Sequence, residues 1–263
     1  MIIIYSVTYM PRIPESAVLS CGMRNAAIQP YHTALFAVFA PEVLNMNIGL
    51  YIGRLLTRPG KPDRSKRRIA CIGDSITFGA GVARARRRDA WPFVWERSLG
   101  AGFQVLNYGV SGATLQREGD FPYHRVGFMK DLRKARPELI VLMLGTNDSK
   151  PYNWDATRFR REYEAFVWQL IALPWPHRIV LMTPPMAFPE ENSGIIGFDI
   201  DNLPIRDVIR PLVLALGKQY GLQVLDLYAL TRSHPEYFCD GVHPNREGNR
   251  IIAEHLSQEL ALR

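Results

Sequence analysis

From Arg67 onward, short apolar runs alternate with segments in which apolar residues recur at helical spacing. Apolar runs of roughly four to eight residues bounded by turn residues read as strands buried on both faces, and strands alternating with helices imply a parallel sheet. Five strands are predicted, at Arg68–Ile72, Gln104–Tyr108, Leu139–Leu144, Ile179–Thr183 and Gln223–Asp226. The helical pattern predicts helices at Ala90–Leu99, Val126–Arg136, Ala156–Leu173, Leu203–Tyr220 and Arg246–Leu262. Each crossover between parallel strands must be right-handed, so the expected product is an α/β fold, a three-layer α/β/α sandwich. Ligands of such sheets bind beyond the carboxyl ends of the strands, where the strand order reverses.

Residues 1–66 follow no such plan. Met1–Val7 is apolar but has no basic stretch ahead of it, and Thr33–Ala40 is an apolar run too short to span a membrane. A peptidase site at Ala40 would leave Pro41 first in the mature chain, which is unfavourable. From Met46, the positions Ile48, Tyr51, Ile52, Leu55 and Leu56 have helical spacing with Arg54 and Arg58 opposite, a packing helix or an interfacial anchor. Pro59, Gly60, Pro62 and the basic residues after them read as a linker. The expected organisation is an N-terminal extension and basic linker over 1–66 and one α/β domain over 67–263.

Composition excludes disordered and collagen-like chains, since 47% of residues are hydrophobic and glycine and proline show no repeat. A net charge of +7 raises the question of a nucleic-acid partner, but the excess is local. Residues 1–90 hold thirteen Lys/Arg against five Asp/Glu, and the rest of the chain holds nineteen against twenty. Two clusters carry it, one running from Arg54 to Arg68 and one formed by Arg84, Arg86, Arg87 and Arg88. No aromatic residues interleave either cluster as a single-strand binding groove requires, so they read as a solvated linker and an exposed loop, with attraction to anionic lipid or a polyanionic substrate as the alternative. No nucleic acid is expected as a partner, and no firm membrane partner is implied. Cys21, Cys71 and Cys239 are too few and too scattered for a disulfide framework. They and the missing signal pattern favour the cytoplasm, with secretion or membrane association through the N-terminal segment as the alternative.

The residues after each strand carry the candidate chemistry. After the first comes Gly73-Asp74-Ser75-Ile76-Thr77-Phe78-Gly79, which delivers a serine into a glycine-bounded turn. A serine hydroxyl becomes a nucleophile only with a base in hydrogen-bond reach and donors for the oxyanion that attack creates. After the second strand, Gly109-Val110-Ser111-Gly112 lets main chain approach a ligand closely, and after the third, Gly145-Thr146-Asn147-Asp148 places an amide donor at a strand end. The N–H of Ser75, the N–H of Gly112 and the side chain of Asn147 would converge as an oxyanion hole. Asp240-Gly241-Val242-His243-Pro244 then supplies a base, because a carboxylate three residues before an imidazole can hold Nδ1–H and turn Nε2 outward. Pro244 keeps His243 out of the helix that follows. Each motif also has a plain reading as a turn or a helix cap, and Asp240 with His243 could be a metal pair if His234 joined them. Asp74 reads as a loop brace and Cys239 as packing, while the sequon at Asn147-Asp148-Ser149 is accidental if that amide faces an oxyanion.

These four segments, in this order and spacing, resemble the SGNH hydrolases, also called GDSL esterases/lipases, through Ser75, Gly112, Asn147 and His243. The resemblance covers residues 67–263. It implies a flavodoxin-like five-stranded parallel sheet (the SGNH hydrolase fold), Ser75 as nucleophile, His243 as general base and acid, Asp240 as third triad member, and the same three oxyanion donors. No cofactor and no metal are implied. Trp91-Pro92 is similar to a recurrent family feature, while Gly-Asp-Ser-Ile-Thr stands where many lipases have Gly-Asp-Ser-Leu-Ser. Lys150-Pro151-Tyr152-Asn153-Trp154 supplies rings, an amide and an ammonium suited to a sugar, and Pro184–Pro189 opens a long loop to Leu203 that could wall the cleft. The candidate substrate contacts are Asp74, Lys150, Tyr152, Trp154 and Val242. These stretches look like carbohydrate-acetylesterase and sialate-O-acetylesterase-like members, so the expected substrate is a small-molecule or glycan ester, acetyl above all. A broad short-chain carboxylesterase, thioesterase or lysophospholipase is the alternative within enzymes, and a noncatalytic carbohydrate-binding module the alternative outside them.

Overall fold

Along β1 (Arg67–Gly73), Ile69 and Cys71 turn to one face of the sheet and Ala70 and Ile72 to the other, and all four are buried. A strand covered on both faces needs apolar side chains at successive positions, which is why this run shows no alternation. The computed structural model describes residues 59–190 and 194–262; the apolar runs and the helical spacing before Pro59 lie outside the described residues.

In chain order β1 is followed by α1 (Ser75–Phe78), α2 (Arg86–Asp89), α3 (Trp91–Leu99), β2 (Phe103–Gly109), α4 (Phe128–Ala135) and β3 (Leu139–Met143). Then come α5 (Ala156–Ile171), β4 (Arg178–Met182), α6 (Asn202–Pro204), α7 (Arg210–Tyr220), β5 (Gln223–Leu225), α8 (Leu227–Thr231) and α9 (Arg246–Leu260). The five strands form one sheet in the order β2-β1-β3-β4-β5, every neighbouring pair parallel. On one face Ala70, Leu106, Ile140 and Leu181 pack with α4, α5 and α7. On the other, Ile69, Val105, Val141 and Val180 pack with Trp91 and Trp95 of α3 and with Ile252 and Leu256 of α9. The result is a three-layer α/β/α sandwich whose order reverses between β1 and β3.

The helix ends follow local chemistry. Asp155 caps α5 by accepting from the Arg158 N–H at 2.9 Å, and Asn245 caps α9 by accepting from Gly248 N–H at 3.0 Å. The predicted helix over 203–220 is interrupted: α6 passes into a π-helical turn at Ile205–Ile209 before α7 begins. Pro211 has no N–H to donate, and the wider turn accommodates it. The basic linker is tied down at its end, because Asp63 N–H donates to Gln104 Oε1 at 2.7 Å and Gln104 Nε2 donates to Lys61 carbonyl at 3.0 Å.

Leu142 in β3 is fully buried between the layers. Leu142→Ala is expected to cost about 2–5 kcal/mol, read as a lower urea midpoint at an unchanged denaturant slope.

Candidate active site

Beyond Gly73 the chain turns directly into α1. Asp74 Oδ1 accepts from Ile76 N–H at 3.0 Å, and Gly79, at φ +95°, closes the turn by donating its N–H to the Ser75 carbonyl at 2.9 Å. The turn is pressed onto the ends of β2 and β3. A Cβ at Gly73 would lie 2.1 Å from Thr77 Oγ1, and one at Gly109 would lie 2.2 Å from the Phe78 nitrogen. Asn107 completes the joint by donating to the Thr77 carbonyl at 2.8 Å while accepting from Gly109 N–H at 2.9 Å. Arg86 is part of it too, rather than belonging to an exposed loop. Its Nε donates to the Phe78 carbonyl at 2.6 Å and its guanidinium lies 4.0 Å from the centre of the Phe78 ring. Burial accordingly lowers the pKa of Arg86 to about 10.

Across from this turn, the loop before α9 folds back on itself through a bridge between Phe238 and Pro244. Asn249 anchors it, donating to the Pro244 carbonyl at 2.7 Å and accepting from Trp91 N–H at 2.9 Å. His243 Nε2 stands 2.9 Å from Ser75 Oγ, and His243 Nδ1 stands 2.7 Å from Asp240 Oδ2. Asp240 Oδ1 is filled by the backbone N–H groups of Val242 at 3.0 Å and His243 at 2.7 Å. Burial alone would raise the Asp240 pKa, but the hydrogen bond and charge of His243 and these backbone donors outweigh it and hold the carboxyl below its ordinary value. A carboxylate fixed in this way selects the Nδ1–H tautomer and leaves Nε2 free to accept the serine proton.

The third side of the site is built from the loops after β2 and β3. Val110 N–H donates to the Gly73 carbonyl at 2.9 Å, Gly112 adopts φ +78°, and Asn147 Nδ2 donates to the Ala113 carbonyl at 3.1 Å. Asn147 is buried, so its sequon lies in the site and not on an open loop. Asp148 fastens the two loops together by accepting from Leu115 and Gln116 N–H, both at 2.8 Å. Asn153 adds a second tie, donating to the Asn147 carbonyl at 2.9 Å and receiving Gln116 Nε2 on its own carbonyl at 2.8 Å. Burial drives the Asp148 pKa up to about 7 against those backbone bonds, with Asp74 adding to the rise.

The structure thus brings Ser75, His243 and Asp240 into one row and sets Asn147 against the Gly112–Ala113 turn. Two of the candidate substrate contacts are corrected. Asp74 is 0% exposed and caps α1, and Val242 is 3% exposed with its side chain in the core, so neither presents a side chain to a ligand. Trp154 is partly buried, its ring 5.4 Å from that of Phe159. Tyr152 is 61% exposed, with Lys150 Nζ 5.8 Å from its ring centre and 3.6 Å from Asp120. His234 pairs with Glu236 at 2.7 Å and stacks on Tyr237 instead of meeting His243. Sequence reading missed Asp148, Asn153 and Gln116 as braces, and it missed Phe198, whose ring centre lies 4.9 Å from that of His243 at 81°. The polar braces fall within or beside the motifs; the loop carrying Phe198 was expected at the cleft, but nothing singles out that residue within it.

A model of the GDSL-like lipase/acylhydrolase family matches residues 71–251. An acetylxylan esterase of Xylanibacter ruminicola is 35% identical over 228 residues, which cover 80% of this chain and 46% of that protein. The chain therefore spans about half the length of this curated relative. Among solved structures, a carbohydrate acetylesterase family member from Sinorhizobium meliloti matches 74% of this chain and 100% of its own, with TM-score 0.60 and 26% identity. The aryl esterase of M. smegmatis matches 74% of this chain and 98% of its own with TM-score 0.60 at 21% identity, a likeness of fold.

The raised pKa of Asp148 has a defined consequence for stability. A carboxyl whose folded pKa exceeds its unfolded value favours the fold when protonated, so its contribution is complete below about pH 4 and is lost as the pH rises to about 7. Asp148→Asn is expected to lower Tm, since an amide NH2 must face one of the two backbone donors, and to flatten the fall of Tm between pH 4 and 7. An unaltered slope in thermal melts would contradict this account.

Proposed function

Because this chain belongs to the GDSL-like lipase/acylhydrolase family, we propose that it is a serine carboxylic ester hydrolase that removes small acyl groups, acetyl above all, from carbohydrate hydroxyls through an acyl-enzyme. The observation that carries the reading is the continuous hydrogen-bonded row from Asp240 through His243 to Ser75. A buried serine joined to an imidazole whose far nitrogen meets an ionised carboxylate has the activation that nucleophilic catalysis needs. The acetylxylan esterase relative supports acetyl as the acyl group and a glycan as the alcohol.

In this mechanism Ser75 Oγ attacks the ester carbonyl carbon while His243 Nε2 takes its proton. The carbonyl π electrons move onto oxygen, and the alkoxide is received by the N–H groups of Ser75 and Gly112 and by Asn147 Nδ2. To serve there, the Asn147 amide uses the hydrogen not given to Ala113 or exchanges that partner for the oxyanion. The intermediate collapses as the C–O bond to the alcohol breaks and His243 returns the proton to the leaving oxygen. Water, activated by the same imidazole, attacks the acyl-serine, and acetate leaves with the serine oxygen reprotonated. Asp240 keeps its charge throughout, which its lowered pKa favours.

Acetate release from acetylated glycans is expected from the wild type and not from Ser75→Ala. Asn147→Ala is expected to lose about 10² to 10³ in kcat, and Asp240→Asn about 10⁴, because each removes stabilisation of charge that develops in the transition state. Across p-nitrophenyl acetate, octanoate and palmitate, kcat/KM should fall with chain length. A preference for palmitate would overturn the glycan-acetate reading while leaving the serine chemistry standing.

A further inference from the structure

Phe198 and Asp199 both lie in the left-handed region, at φ 62° and φ 57°, a conformation that residues with a Cβ seldom adopt. Such a conformation persists only where its surroundings impose it, and it gathers at functional sites. Here the loop is held on both sides. Ahead of Phe198, Phe188 N–H donates to the Gly241 carbonyl at 2.8 Å, and Glu190 N–H donates to the Ile195 carbonyl at 2.9 Å. Behind it, Ile200 is buried, Asp201 N–H donates to Ser149 Oγ at 3.3 Å, and Asn202 Oδ1 accepts from Ala187 N–H at 3.0 Å. What these ties achieve is to place the Phe198 ring edge-to-face on the His243 imidazole while leaving the residue 44% exposed.

The direction of the chemistry says which half of a substrate meets that ring. His243 Nε2 must give its proton to the leaving oxygen, so the alcohol bonded to that oxygen lies beside the imidazole. The acyl oxygen turns instead toward Gly112 and Asn147. An exposed phenyl against the imidazole therefore borders the alcohol and not the acyl group. A flat apolar ring beside a set of polar groups suits a ligand with an apolar face and a hydroxylated rim, which is the description of a pyranose.

We infer that Phe198 determines specificity for the alcohol half of the ester, as a platform on which the C–H face of a sugar ring lies. The assignment rests on the ester-hydrolase reading of Ser75 and His243. The test compares wild type, Phe198→Gly and Phe198→Trp on a monoacetylated methyl pyranoside, on ethyl acetate and on ethyl butyrate. Glycine removes the ring and accepts the left-handed backbone without strain, so the loop keeps its path. Expected is a drop of about tenfold in the ratio of kcat/KM for the sugar ester over ethyl acetate in Phe198→Gly, carried by KM, with recovery in Phe198→Trp. An unchanged ratio overturns the assignment. So does an equal loss of kcat on all three esters with a displaced kcat pH profile, which would mean that the ring only positions His243. A change in the acetate-to-butyrate ratio also overturns it, by placing the ring on the acyl side. A wild type inactive on every ester overturns the reading of the whole site, a result distinct from these because it appears before any substitution is made.

Discussion

The chemistry depends on a single contact between residues 168 positions apart in sequence, the 2.9 Å approach of His243 Nε2 to Ser75 Oγ. No local preference can bring such distant groups together; the sheet does it. Ser75 stands two residues beyond β1, beside the point where strand order reverses, and Asn147 stands past the end of the adjoining β3. Parallel registers that pair Gly73 with both Gly109 and Met143 bring three strand ends to one level. Side chains are excluded there for a physical reason. The nucleophile turn lies so close to the strand ends that Cβ atoms at Gly73 and Gly109 would overlap Thr77 and Phe78.

Rigidity around that contact has an opposing electrostatic cost. Asp148 and Asp74 are fully buried, and burial raises the pKa of both. Each carboxyl nevertheless holds backbone N–H groups that would otherwise be left unpaired in the interior, Leu115 and Gln116 for one and Ile76 for the other. Fixing the loops in advance means that the donors need not reorganise as negative charge develops on substrate, the condition under which such donors are most effective. The site thus accepts weaker folding near neutral pH in exchange for loops that hold their shape.

The sequence disclosed this arrangement unevenly, and the reasons are physical. The strands were legible because Ile69–Ile72 and Leu139–Met143 are buried on both faces and cannot tolerate polar alternation. Ser75, Asp240 and His243 were legible because fixed spacing and adjacent glycine or proline leave a trace. The short helix α8 was not, since five residues are too few to display a helical period. Val242 was misread as a substrate contact because proximity in sequence to a reactive group says nothing about which way a side chain faces, whereas Asp74 is the loop brace that its place in the turn suggested. The loop that carries Phe198 was legible as a long connection after β4, but the residue itself was not. Its position comes from a loop conformation held by Gly241, Ser149 and Ala187, residues drawn from distant segments.

Two loops with exposed rings are each fastened to one side of the Ser75–His243 row. The segment carrying Lys150 and Tyr152 is joined through Asp120 and Asn153 to the Asn147 carbonyl, and hence to the oxyanion side. The loop carrying Phe198 is joined through Phe188 to Gly241, between Asp240 and His243, and hence to the acid–base side. At Gly241 a side chain would come within 2.1 Å of the Phe188 carbonyl, and the φ of +78° excludes most other residues as well. A change in the path of the second loop therefore moves the imidazole, while a change in the first moves the oxyanion amide. Rebuilding either loop would therefore disturb the groups it is tied to far more than exchanging an exposed side chain such as Tyr152 or Phe198 upon it.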